Sequence, residues 1–167
     1  EQQSYIDTLD KKSQRLRILI EDLFEMSMAS SGSLSLHLAP IDLEAMIRQV
    51  EMELESEIQN SGVALWHRFT KERAVAYLDG EKTSRIFENR FVNVIKYAMP
   101  GTRVYVDLSV QDETVQVKIS NVSREPLDFN PEDITERFAR GDRSRNTEGS
   151  GLGLAIAKSL VELQNGK

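Results

Sequence analysis

The stretch Gly149-Ser150-Gly151-Leu152-Gly153 runs straight into Leu154-Ala155-Ile156-Ala157-Lys158-Ser159-Leu160, so three alternating glycines feed an amphipathic helix. Glycine lets backbone N–H groups approach a ligand closely, and a helix start offers N–H donors at its positive dipole end. Together they suit a polyphosphate. Taken alone, the stretch fits a flexible hinge before a helix nearly as well. The G-x-G-x-x-G pattern is excluded, because Leu154 stands where its third glycine belongs and no strand feeds the loop; G-K-[ST] is absent.

The 167 residues, 40% of them hydrophobic, suffice for one domain with its own core plus an appendage. A net charge of −6, with basic residues spread among acids, argues against nucleic acid as a partner. No apolar run reaches the length of a membrane span, and no secretory leader pattern opens the chain. Cysteine is absent, which excludes disulfides, thiol catalysis and cysteine-ligated metals and fits a reducing, cytoplasmic setting. Neither His37 nor His67 has metal-ligand spacing.

Residues 1–31 read as one long helix, with Ile6, Leu9, Leu16, Ile20, Leu23 and Phe24 in an apolar stripe among charges. The stripe is expected to pack against another chain or a helix outside this one, rather than against its own domain. Leu34, Leu36 and Leu38 alternate like a short strand that leaves His37 solvated. Asp42 is the expected N-cap of a core-facing helix carrying Leu43, Met46, Ile47, Val50, Leu54 and Ile58, closed by Asn60-Ser61-Gly62. Two strand candidates, Val63–Phe69 and Val75–Leu78, flank the polar turn Lys71-Glu72-Arg73, and His67 reads as a packed edge residue rather than a catalyst.

After Asp79-Gly80 a helix runs to about Ala98 before Pro100-Gly101. At about 100° per residue, Phe87, Phe91, Val94 and Ala98 share one arc, while Asn89, Asn93, Lys96 and Tyr97 share the opposite one. Two carboxamides, an ammonium and a phenol supply oxygens for a hard cation, a phosphate partner and a stacking surface. An ordinary solvated face is the competing reading. Val104–Val110 and Val115–Ile119 then alternate as an antiparallel hairpin with one buried side. Asn130-Pro131 starts a short helical turn ending near Phe138, and the polar tract 139–148, with Arg140, Arg143 and Arg145, suits a mobile lid whose guanidiniums meet phosphate. The element order gives an α+β sandwich, a mixed sheet with helices on one face, and a sheet edge left open where a last strand is missing.

Four signatures in this order resemble those of the cytoplasmic catalytic part of bacterial sensor histidine kinases, within the GHKL ATPase superfamily. They are the asparagine box Asn89-Arg90-Phe91-Val92-Asn93-Val94-Ile95-Lys96-Tyr97, a phenylalanine box at Glu136-Arg137-Phe138, the glycine loop 149–154, and the opening helix with Lys11-Lys12-Ser13-Gln14-Arg15-Leu16 and Glu21-Asp22-Leu23-Phe24. The resemblance covers nearly the whole chain and implies a division into three: residues 1–31 as the second helix of a dimerisation hairpin, 32–41 as a linker, and 42–167 as a catalytic ATP-binding domain. It also implies a Bergerat-type site for ATP and Mg²⁺. Asn93, helped by Asn89, would hold the metal; Lys96 would contact phosphate, and Tyr97 would lie against adenine. Backbone amides of Gly149, Gly151 and Gly153 would bind the phosphates at the helix start, with Leu152 and Phe138 in the same ATP-binding set, and Arg140 or a lid neighbour would steady the γ-phosphate.

Implied partners are a second copy, joined through the opening helix, and the receiver domain of a response regulator. The parent protein would sit in the bacterial cell membrane through segments outside this chain, with this part cytoplasmic. Three features depart from the pattern. The first glycine box is Asn121-Val122-Ser123-Arg124-Glu125, which keeps neither glycine and replaces the adenine-binding aspartate by Asn121. Arg90 replaces an apolar residue. No histidine here matches the family's phosphate acceptor, so the chain alone is expected not to autophosphorylate. A second expectation follows from Asn121 and Ser123: a signalling or dimerisation module that binds nucleotide weakly or not at all.

Overall fold

The computed structural model describes residues 2–31, 34–126 and 152–167. In chain order the elements are α1 (Gln2–Ser30), β1 (Leu38–Asp42), α2 (Leu43–Glu53), α3 (Glu55–Ser61), β2 (Ala64–Phe69), β3 (Val75–Asp79), α4 (Gly80–Tyr97), β4 (Arg103–Gln111), β5 (Thr114–Ser120) and α5 (Gly153–Leu163). No helix among the described residues is long and apolar enough to cross a membrane.

Local signals account for most boundaries. Asp42 caps α2, its carboxylate accepting from the Ala45 N–H at 3.2 Å. Gly62 ends α3 in the left-handed conformation at φ 73°, where a Cβ would be strained. The continuous helix expected over 43–60 is instead interrupted at Leu54. Glu51/Glu55 and Glu53/Glu57 place like charges four residues apart around that point, which weakens the turn. Leu54 nevertheless remains packed against the core.

The two strand candidates around Lys71-Glu72-Arg73 do not pair with each other. β3 pairs antiparallel with β1, Pro40 opposite Tyr77, whereas β2 runs parallel to β4 and β4 antiparallel to β5, giving the order β2-β4-β5. Among the described residues the strands thus form two hydrogen-bonded groups, of which the three-stranded one is the expected mixed sheet. Leu34–His37 precede the strand rather than forming one. Helices cover one side: Ile47 and Val50 of α2 and Phe87 and Phe91 of α4 pack on Val106 and Leu108 of β4. On the other side Trp66 and Tyr105 lie under the guanidiniums of Arg103 and Arg68, at 4.1 and 4.7 Å from their ring centres. His67 is an edge residue, its Nε2 2.9 Å from the Glu51 carboxylate and its ring edge-on to Phe69.

The α1 stripe stays exposed, as expected: Ile6, Leu9, Leu16, Ile20, Leu23 and Phe24 all face away from the domain. The helix nevertheless touches its own domain outside the stripe, because Met26 is buried against Leu152, Ala155, Ile156 and Leu160.

Asp79 joins three segments. Its carboxylate caps α4 through the Lys82 N–H at 3.0 Å and accepts from the His37 N–H at 2.8 Å, while its own N–H donates to Gln164 Oε1 at 2.7 Å. Burial pushes the carboxyl up, but the two backbone donors and the nearby Lys82 charge outweigh it and hold the group below its ordinary value. The Asp79 contribution to stability is therefore complete above the unfolded pKa of about 3.9 and is lost as pH falls through the lower folded value. Asp79→Asn replaces one acceptor by a donor facing an N–H. Urea unfolding at pH 7 is expected to show a loss of about 1–3 kcal/mol, with a shallower decline of stability below about pH 4; an unchanged midpoint would contradict the role.

Candidate functional site

Helix α4 has two working faces. Phe87, Phe91, Val94 and Ala98 are buried in the core, as their spacing predicts. Opposite them Asn89, Asn93, Lys96 and Tyr97 are half-buried, and Arg90, at the border, is exposed. The first half of this second face is covered by α5, whose buried cluster takes in Ile86.

Helix α5 runs antiparallel to α4. At one end Gln164 accepts from Asp79 and Thr83; at the other, Gly153 abuts Asn89 so closely that a Cβ would stand 3.1 Å from Asn89 Oδ1. Ten residues of α4 and eleven of α5 span about 15 and 16 Å, so the two ends agree. The N-terminus of α5 thereby points along α4 toward Asn93, Lys96 and Tyr97. Leu152, in the cap position, has no polar side chain to close the helix, and its first turn carries no acid. That end favours negative charge.

The carboxamide of Asn89 is oriented by its own turn, Nδ2 donating to the Arg85 carbonyl at 3.0 Å, which turns Oδ1 toward Gly153. One turn on, Asn93 offers a second carboxamide. Neutral oxygens alone hold a hard cation weakly, so this donor set fits Mg²⁺ only with phosphate oxygens completing it. Among the described residues no cluster of three or more His, Cys, Asp or Glu offers an independent metal site. The Lys96 ammonium lies 5.0 Å from the centre of the Tyr97 ring.

The segment after β5 closes the far end of α4. Met99 N–H donates to Val122 O at 2.8 Å, Arg124 N–H to Tyr97 O at 2.9 Å, and Arg124 Nε to Ala98 O at 2.7 Å. Arg124 thus places a cation and two donors on the last carbonyls of α4, where the dipole is negative. The sequence reading missed this residue, since nothing in the local pattern links position 124 to the end of a helix 27 residues earlier. Ser123 and Glu125 take no left-handed conformation, so the segment is built without its expected glycines. Asn121 is exposed beside it. Phe138, Arg140, Gly149 and Gly151 lie outside the described residues.

Residues 78–167, more than half of the chain, match the family described as histidine kinase-, DNA gyrase B- and HSP90-like ATPases. The chain belongs to this ATPase family. Among curated proteins it is 28% identical over 164 residues to the sensor protein VanSC of Enterococcus gallinarum, covering 97% of this chain and 45% of that protein. A full-length ShkA structure in complex with AMPPNP superposes with a TM-score of 0.80 at 24% identity, over 99% of this chain and 34% of ShkA. The histidine kinase ThkA, solved in complex with the response regulator protein TrrA, gives a TM-score of 0.69 at 19% identity, over 97% of this chain and 44% of that one. At these identities the two structures establish the fold. The chain spans less than half the length of the curated relatives it matches. The mixed sheet with helices on one face is the ATPase fold expected from the sequence.

In this ATPase chain Gly153 is tested most simply by Gly153→Ala. The new methyl group must displace the Asn89 carboxamide by a few tenths of an ångström, while at a first-turn position the fold should change by less than about 1 kcal/mol. A shifted Asn89 side-chain amide resonance in an otherwise unchanged spectrum is the expected result; an unmoved resonance would contradict the contact.

Proposed function

We propose that this chain is the ATP-binding catalytic part of a sensor histidine kinase, residues 42–167 forming the nucleotide-binding domain and residues 1–31 the second helix of a dimerisation hairpin, joined by residues 32–41. The observation that carries the reading is the antiparallel α4–α5 pair, which aims a helix start at Asn89, Asn93, Lys96 and Tyr97 in a chain of this ATPase family.

In this reading the α5 N-terminus and the glycine backbone from Gly149 to Gly153 hold the phosphates, Lys96 pairs with a phosphate oxygen, and Tyr97 lies against the adenine. Asn121 accepts from the adenine amino group through its amide oxygen, without the charge of an aspartate. Asn93 and Asn89 would hold Mg²⁺, which when bound would supply positive charge to the phosphates. Phe138 belongs to the nucleotide site, and Arg140, in the polar tract 139–148, or a neighbour there steadies the γ-phosphate. Positioning by these residues and the arginine charge of the tract then favour an in-line transfer in which the bond from phosphorus to the ADP oxygen breaks as a bond to a histidine nitrogen forms. The acceptor histidine belongs to a helix outside this chain, since His67 is engaged by Glu51 in a strand and His37 lies in the link to β1. The phosphoryl group then passes to an aspartate of a response regulator, the kind of partner bound in the ThkA complex.

The exposed α1 stripe supports a homodimer, because a long apolar stripe is costly in water. The part described here lies in the cytoplasm, with the parent protein in the bacterial membrane through other segments. Calorimetry with ATP and Mg²⁺ is the direct test: binding is expected, with Asn93→Ala weakening it at least about tenfold, or about 1.4 kcal/mol. No binding at millimolar nucleotide would instead favour a signalling module that has lost nucleotide with its glycine box.

A further inference from the structure

Helix α1 carries two faces. At about 100° per residue the exposed stripe and the docked set Asp22, Glu25 and Met26 lie about 160° apart around the helix. The stripe can therefore meet a second helix while the docked face remains on the domain.

That docked face reaches both helices of the nucleotide site. Asp22, 5% exposed, receives Arg85 Nη2 of α4 at 2.6 Å. Glu25 faces Lys82 at 3.5 Å and Arg85 at 3.6 Å. One turn beyond Asp22, Met26 is 2% exposed and packs with Ile86 of α4 and Leu152, Ala155 and Ile156 of α5. Leu152, 1% exposed, is the cap residue of α5, and Gly153 beside it touches Asn89. Asn89 in turn is held by the carbonyl of Arg85, the residue paired with Asp22. A turn of α1 about its own axis would withdraw Asp22 from Arg85 and Met26 from Leu152 in one movement.

We infer that the Asp22–Arg85 ion pair and the Met26 contact form a latch that fixes the start of α5 against Asn89 and so raises the affinity for nucleotide. The inference rests on the nucleotide reading above. Arg85 and Met26 act as positioning residues, since neither needs to touch the nucleotide. Linkage makes the effect reciprocal: nucleotide bound between α4 and the start of α5 tightens the docking of α1 by the factor by which docking tightens nucleotide.

The test uses the 167-residue chain with Asp22→Arg, the charge exchange Asp22→Arg/Arg85→Asp, and Met26→Ala as a variant that leaves the charges in place. Two readouts are taken: amide hydrogen exchange over the last turns of α1, and affinity for AMPPNP with Mg²⁺ by calorimetry. Asp22→Arg and Met26→Ala are expected to speed exchange about tenfold or more and to weaken AMPPNP binding about fivefold or more. The charge exchange should restore both in part, since it re-forms the pair while setting a carboxylate beside Glu25 and Glu88; a general loss of stability would restore neither. Faster exchange with unchanged affinity, or unchanged exchange in both variants, would overturn the latch while leaving nucleotide binding by the unaltered chain intact. Failure of the unaltered chain to bind AMPPNP would overturn the nucleotide reading itself, and the coupling with it.

Discussion

The antiparallel packing of α5 on α4 is the constraint on which the rest depends. α4 must bury Phe87 and Phe91 in the core on one side, and this leaves its opposite side for α5. The Gln164 bonds fix one end of the pair and the Gly153–Asn89 contact the other. With both ends fixed, the positive end of α5 can aim only along the remaining turns of α4. Asn93, Lys96 and Tyr97 occupy those turns, and Arg124 closes them by capping the helix. Burial, helix direction and charge thus place one anion-seeking end beside two carboxamides and an ammonium.

Much of this was legible in the sequence wherever the physics is local. The 3.6-residue period separates Phe87, Phe91, Val94 and Ala98 from Asn89, Asn93, Lys96 and Tyr97, and the structure buries the first set and half-buries the second. Alternation marks the β4–β5 hairpin, while Asp42 and Gly62 mark the ends of the helical stretch between them. Non-local pairing was not legible: β2 and β3 are neighbours in sequence, yet β3 joins β1 and β2 joins β4. Asp79 marked only the place where a helix begins, because its partners His37 and Gln164 are distant in sequence. Arg124 was hidden for the same reason, and so was the contact between Met26 and Leu152, which lie more than a hundred residues apart. The segment Asn121–Glu125 looked compromised for want of glycine, but its backbone takes no left-handed conformation at Ser123 or Glu125.

Two demands meet in α1. Its stripe asks for another helix, and its opposite face is held by Asp22, Glu25 and Met26 on the domain. The Asp22–Arg85 pair, buried on the Asp22 side and half-exposed at Arg85, contributes little net stability against a well-packed apolar replacement, whereas removing one partner leaves the other charge uncompensated. Such a contact suits a junction that must dock in one way and be releasable.

The central claim, that the α4 face, the 121–125 segment and the start of α5 form one nucleotide site, is tested most directly by mapping amide chemical shifts during a titration with Mg²⁺ and a non-hydrolysable ATP analogue. The account predicts the largest shifts at residues 89–97, 121–125 and 152–157, with Trp66, Tyr105 and Lys118 on the outer sheet face unmoved. Shifts concentrated on that outer face, or none along α4 at saturating analogue, would contradict it.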